Sequence, residues 1–101
     1  MKKEYITTFN GKKIYIVDGK YVRLHNDIDF LDGGHHLVYS FIPDDEIWID
    51  DQQSPEEAYY TTIHELAENK LMEDKGMDYE AAHNIASRIE HRARQNEEAE
   101  V

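Results

Sequence analysis

Apolar and polar side chains alternate in short runs along the first fifty residues, and turn residues separate the runs. Asn10-Gly11 divides the first two runs and predicts a β-hairpin, because both residues accept the positive φ angles of a tight turn. Asp18-Gly19 and the stretch 32–34 supply further turns. The pattern predicts about five strands in an antiparallel meander: residues 5–9, 12–17, 20–24, 37–42 and 46–50.

Beyond residue 53 the period lengthens to that of a helix. Ser54 is an N-cap residue, Pro55 fits the first helical position, and Glu57 stands where its carboxylate would complete a capping box. Gly76 is a stop signal, and Asp78 caps a second helix that is expected to end near residue 95. The turn between the two helices is short, so they are predicted to run antiparallel.

These elements predict an α+β fold in which the meander packs against a C-terminal antiparallel helical hairpin. The chain of 101 residues fits a single domain. Within it, residues 1–50 form the sheet part, residues 54–95 form the hairpin, and residues 96–101 form an acidic tail that is expected to fray. Trp48 is assigned to the core, because Ile47 and Ile49 cover the alternate face of its strand.

The formal net charge of −11 argues against nucleic-acid and anionic-membrane partners, which need lysine and arginine to neutralise phosphates. The same charge suits a basic protein partner. The chain has no cysteine, so any metal must be bound by histidine, aspartate and glutamate. No signal peptide, lipidation motif or long apolar run is evident, and we expect a soluble, cytoplasmic protein. The sequence does not determine the oligomeric state.

The sequence His64-Glu65-Leu-Ala-Glu68 lies in the middle of the first helix of the hairpin. At about 100° per residue, His64 and Glu68 share one edge of the helix, one turn apart. His83 and Glu90 flank the apolar seam of the second helix in the same way. Three interpretations are open for this set: a metal site, a buried hydrogen-bonded network without metal, and a solvated helix edge.

On the metal interpretation, His64, Glu68 and His83 supply two imidazoles and one carboxylate, as in a catalytic zinc site. Glu65 then remains free as the general base that deprotonates the metal-bound water. Glu90 is an alternative ligand, or an acceptor that orients an imidazole. Zn²⁺ is the expected ion and other divalent metals are open, since Glu80 and His83 also have the spacing of a di-iron motif.

With the preceding strand 46–50, this stretch resembles the core of a gluzincin-type zincin, reduced to about one hundred residues. The resemblance covers residues 42–94, and its motif is an H-E-x-x-E variant of the family's H-E-x-x-H. It implies that His64 is the first ligand, that Glu65 is the general base and that Glu68 replaces the second histidine. The third ligand is then Glu90 or His83.

The sequence therefore predicts a zincin-like, peptidase-type metal-dependent hydrolase that acts on a peptide or protein. An extra anionic ligand at position 68 or 90 would make the bound water less acidic and the catalysis weak or absent. The alternative is a non-enzymatic acidic module that binds a basic protein. His35 and His36 are interpreted as ordinary surface or strand-end residues. Adjacent strand positions face opposite sides, so the two are not expected to bind one metal together, and the alternative left open is that one of them approaches the site while the other faces solvent.

Overall fold

A mixed sheet and a long helical hairpin form the protein, and the computed structural model describes residues 1–99. The elements in chain order are β1 (Lys3–Phe9), β2 (Lys12–Val17), α1 (Gly19–His25), β3 (Gly33–His35), β4 (Glu46–Asp50), α2 (Pro55–Lys75) and α3 (Tyr79–Ala99). The α+β class is confirmed. The predicted meander of five antiparallel strands is wrong, because the sheet formed within residues 1–99 has four strands and is mixed.

The strand order is β1-β2-β4-β3, and β2 pairs with β4 in parallel. Ile14 lies opposite Ile47 and Ile16 opposite Ile49. Parallel neighbours need a crossover connection, and the segment 18–45 is long enough to provide one. The other two pairings, β1 with β2 and β3 with β4, are antiparallel.

Residues 20–24, predicted as a strand, lie in α1. The Asp18 carboxylate caps this helix by accepting a hydrogen bond from the amide of Tyr21. Val22 is fully buried, and Arg23 forms a 2.6 Å ion pair with Asp50 at the end of β4. An N-cap and two tertiary contacts therefore outweigh the β-propensity of the short apolar run.

The strand predicted at 37–42 is also wrong, because extended pairing occurs earlier, at Gly33–His35. A Cβ on Gly33 would lie 2.9 Å from both the Thr61 side chain and the Trp48 carbonyl oxygen. Glycine is therefore needed for α2 to pack this closely on β3. The apolar side chains after β3 instead anchor a loop on the core, among them Tyr39, Phe41 and Ile42.

Apolar side chains cover the sheet on both faces. One cluster contains Trp48, as predicted, together with Val17, Val22, Phe30 and Ile42. The second cluster lies under α2 and contains Ile14, Ile47 and Ile49, with Ala58 and Leu66 of the helix packed against them. Period-two alternation along β2 and β4 thus supplies residues to two separate layers.

The helical hairpin begins and turns where the sequence predicts. The Ser54 hydroxyl accepts a hydrogen bond from the amide of Glu57, and Gly76 adopts a left-handed φ of 65°. Glu57 does not complete the capping box; its carboxylate binds both terminal nitrogens of Arg94, at 2.7 and 2.9 Å. The second helix continues past residue 95 to Ala99, and the tail residues 100 and 101 lie outside the described part of the chain.

The contacts between α2 and α3 are nested: Glu57 meets Arg94, His64 meets Glu90, and Glu68 meets His83. This order requires antiparallel helices, as predicted. Neither these two helices nor α1 has the combination of length and apolar character needed to cross a membrane.

Candidate metal centre

The most deeply buried face of α2 is mostly polar. Apart from Tyr60, the buried residues of this helix are His64, Glu65, Glu68 and Asn69. Tyr59, the aromatic neighbour of Tyr60 in the same helix, is 53% exposed. Burying charged groups is unfavourable unless they are paired. The polar face of α2 is therefore a candidate functional surface.

Three potential ligand atoms converge where α2 meets α3. The Oε2 atom of Glu68 lies 3.1 Å from Nε2 of His64 and 3.0 Å from Nδ1 of His83, and the two nitrogens are 3.2 Å apart. A tetrahedral zinc ion with ligand bonds of about 2.0–2.1 Å would separate its ligand atoms by about 3.3 Å. The structure thus brings together the three residues that the sequence singled out, at nearly the spacing that a metal requires.

Glu90 approaches the cluster from behind His64. Its Oε1 atom lies 3.2 Å from Nδ1 of His64, the ring nitrogen that does not face Glu68. Its Oε2 atom accepts a 3.0 Å hydrogen bond from Nε of Arg94. Glu90 is therefore placed to orient the His64 ring rather than to join the three converging atoms.

His35 belongs to the site, although the sequence interpretation assigned it to a strand end. Its side chain is fully buried, and its Nε2 atom lies 2.9 Å from Oε1 of Glu68. His35, Glu65 and Glu68 form a second group whose ligand-type atoms lie within 4.8 Å of one another. His36 points elsewhere, with its Nε2 atom 3.4 Å from the Glu73 carboxylate.

One sequence signal could have indicated that His35 belongs to the site, namely the pair Gly33-Gly34 directly before it. A glycine in a strand often marks the close approach of a neighbouring group, and a Cβ on Gly33 would meet the side chains of Thr61 and Glu65 from α2 as well as the Trp48 carbonyl oxygen. Glu80, the residue behind the di-iron alternative, is exposed and belongs to neither of the two groups found among residues 1–99.

The Glu68 carboxylate is held in its ionised form. Burial works against the charge, but hydrogen bonds with His35, His64 and His83 outweigh burial and lower the pKa of Glu68 to about 2. The hydrogen bond with Glu68 in turn raises the pKa of His64. The cluster therefore contains a fixed negative charge that attracts a proton or a cation.

Glu65 has the opposite behaviour. Burial is the main cause that raises its pKa to about 8, and the negative charge of Glu68 adds to the effect. Two carboxylates three residues apart on one helix thus have widely separated pKa values, which is typical of sites that perform acid–base chemistry.

A cleft of about 370 Å³ opens beside the cluster, between α2, α3 and the chain around β3. The side chain of His83 is 43% exposed, whereas that of His64 is 10% exposed, so the cluster is open to solvent on the α3 side. The lining includes the three converging residues, Glu65, both glycines of β3, and the aromatic rings of Tyr39 and Tyr79.

No model of a known protein family matches the chain, and neither a curated protein nor a solved structure matches it.

Proposed function

We propose that this protein is a zincin-like, metal-dependent hydrolase of the peptidase type, in which His64, Glu68 and His83 hold Zn²⁺. The observation that carries the proposal is the convergence of two imidazole nitrogens and one carboxylate oxygen at separations of 3.0–3.2 Å. Three protein ligands and one open position are the arrangement of catalytic zinc sites.

The chemistry of these atoms supports a cation. Glu90 faces Nδ1 of His64, so a proton on Nδ1 leaves the lone pair of Nε2 directed toward Oε2 of Glu68. Lone pairs that face each other at 3.1 Å repel unless a proton or a metal ion lies between them. The raised pKa of His64 corresponds to the first case, in which a proton lies between the two atoms. A divalent ion would take the place of that proton.

The placement of Glu90 behind His64 leaves two imidazoles and one carboxylate as the ligand inventory, without a second anionic ligand. The expected weakening of catalysis by an extra carboxylate ligand then does not apply to Glu90, and Glu68 would be the single carboxylate ligand of the proposed site.

Glu65 would be the general base. A bound Zn²⁺ supplies a water molecule of lowered pKa, and the Glu65 carboxylate lines the same cleft as the three ligands. The positive charge would also lower the pKa of Glu65 from its raised value, toward the ionised form that a base needs. Because β3 is the terminal strand of the sheet and borders the cleft, an extended peptide is the substrate shape that fits.

Metal analysis of protein purified without a histidine tag tests the proposal. We expect one equivalent of zinc in the wild type, loss of zinc in His64→Ala, and retention of zinc without peptide hydrolysis in Glu65→Gln. His91→Ala is the matched control, because His91 is an exposed histidine of α3. A wild-type protein that takes up no divalent metal at micromolar concentration would refute the proposal, and so would a fully active Glu65→Gln variant.

A further inference from the structure

The two oxygens of the Glu68 carboxylate have different neighbours. Oε2 faces His64 and His83, whereas Oε1 faces Nε2 of His35 at 2.9 Å. His35 comes from β3, on the other side of the cleft from α3. One oxygen is thus turned toward the proposed metal and the other toward the sheet.

The neighbours of Nδ1, the ring nitrogen of His35 that does not face Glu68, determine which nitrogen of the ring carries the proton. The backbone amide of Leu37 donates a 3.3 Å hydrogen bond to Nδ1, and the Asn69 side-chain nitrogen lies 3.2 Å from the same atom. A backbone N–H is always a donor, so Nδ1 must be the acceptor. The neutral ring then carries its proton on Nε2, and that proton is donated to Oε1 of Glu68.

A protonated Nε2 has no lone pair for a metal ion. His35 is therefore not a ligand in this arrangement, even though its ring belongs to a group of metal-type atoms with Glu65 and Glu68. The His35 side chain is fully buried and its backbone pairs with Ile47 of β4, so solvent water has no access that would let it replace the hydrogen bond.

We propose that His35 is a positioning residue that keeps Glu68 bound to the metal through one oxygen, and thereby sets a four-coordinate site. This inference rests on the proposed metal site at His64, Glu68 and His83. A carboxylate with both oxygens free can chelate an ion and raise its coordination number, as the larger hard cations prefer. With Oε1 engaged by a buried N–H group, the site selects ions that accept tetrahedral geometry, such as Zn²⁺ and Co²⁺, over Mn²⁺.

The visible spectrum of bound Co²⁺ reports coordination number, because four-coordinate Co²⁺ absorbs much more strongly than five- or six-coordinate Co²⁺. We expect the full-length wild type to bind one equivalent of Co²⁺ with the intense four-coordinate bands. His35→Phe, which removes the N–H donor, should weaken these bands, lower Co²⁺ affinity on the order of 10-fold, and narrow the preference for Zn²⁺ over Mn²⁺.

Two conservative variants separate positioning from packing. His35→Gln places an amide N–H near the position of Nε2 and should restore the bands, whereas the shorter His35→Asn should not. Val22→Ala is the control for a general loss of stability, since Val22 is buried in the cluster around Trp48 and makes no part of the cleft. Its Co²⁺ spectrum should equal that of the wild type.

A measurement on the wild type does not depend on whether any variant folds. Nitrogen NMR of the histidine side chains should find the His35 proton on Nε2, and a proton on Nδ1 would overturn the inference. Two equivalents of Co²⁺ in the wild type, with one lost in His35→Phe, would make His35 a ligand and also overturn it. If wild type and His35→Phe each bind one equivalent of Co²⁺ with identical spectra, the positioning role of His35 is rejected and the proposed metal site stands. If the wild type binds neither Co²⁺ nor Zn²⁺, the proposed function itself is rejected.

Discussion

Replacing Glu65 by glutamine should stabilise the metal-free protein at alkaline pH and leave its stability unchanged at acid pH. The physical reason is that the folded protein raises the pKa of Glu65 from an ordinary value of 4.5 to about 8. The folded state therefore holds a proton that the unfolded chain releases, and folding becomes less favourable as pH rises between these two values. Glutamine cannot ionise, so the variant escapes this loss.

The size of the effect follows from the pKa difference. At 1.36 kcal/mol per unit, the wild type loses at most about 5 kcal/mol between pH 4.5 and pH 8, and about 3 kcal/mol by pH 7. For a domain of this size, a gain of that order corresponds to a rise in melting temperature of roughly 10 °C or more.

Thermal unfolding followed by circular dichroism, in EDTA at pH 4, 6 and 8, measures this difference. Glu56→Gln is the matched control, because Glu56 is an exposed glutamate of the same helix. Saturating Zn²⁺ should shrink the advantage of Glu65→Gln, since a dication stabilises the ionised carboxylate. An equal effect of Glu65→Gln at pH 4 and pH 8 would contradict the reasoning.

Three further changes test other parts of the structure. Ile47→Ala should lower the free energy of unfolding by about 2–5 kcal/mol in urea titrations, because Ile47 is fully buried under α2; a loss below about 1 kcal/mol would contradict that packing. Arg94→Met should weaken Zn²⁺ binding roughly 10-fold in chelator competition, since Arg94 holds Glu90 against His64; unchanged affinity would remove Glu90 from the site. Gly76→Ala should lower the free energy of unfolding by about 1–2 kcal/mol, because the residue has a left-handed backbone conformation. A Cβ at this position meets no atom within 4 Å, so the cost comes from the backbone alone, and an equally stable variant would contradict the prediction.

Local signals in the sequence determined the helical hairpin. Ser54 caps α2 through a hydrogen bond three residues away, and Gly76 ends it through its own φ angle, so neither depends on distant parts of the chain. Helical spacing likewise put His64 and Glu68 on one edge. Because the hairpin turn is short, the approach of His83 to this pair also followed from the sequence.

Tertiary structure alone decided the sheet and the outer part of the site. The parallel pairing of β2 with β4 and the helical state of residues 20–24 depend on contacts between residues more than twenty positions apart, such as Arg23 with Asp50. His35 reaches Glu68 across 33 positions for the same reason. A periodic pattern records which face of an element is apolar, but it does not record which element will cover that face. The sequence therefore specified the three residues proposed as ligands, and only the folded chain showed which groups orient them.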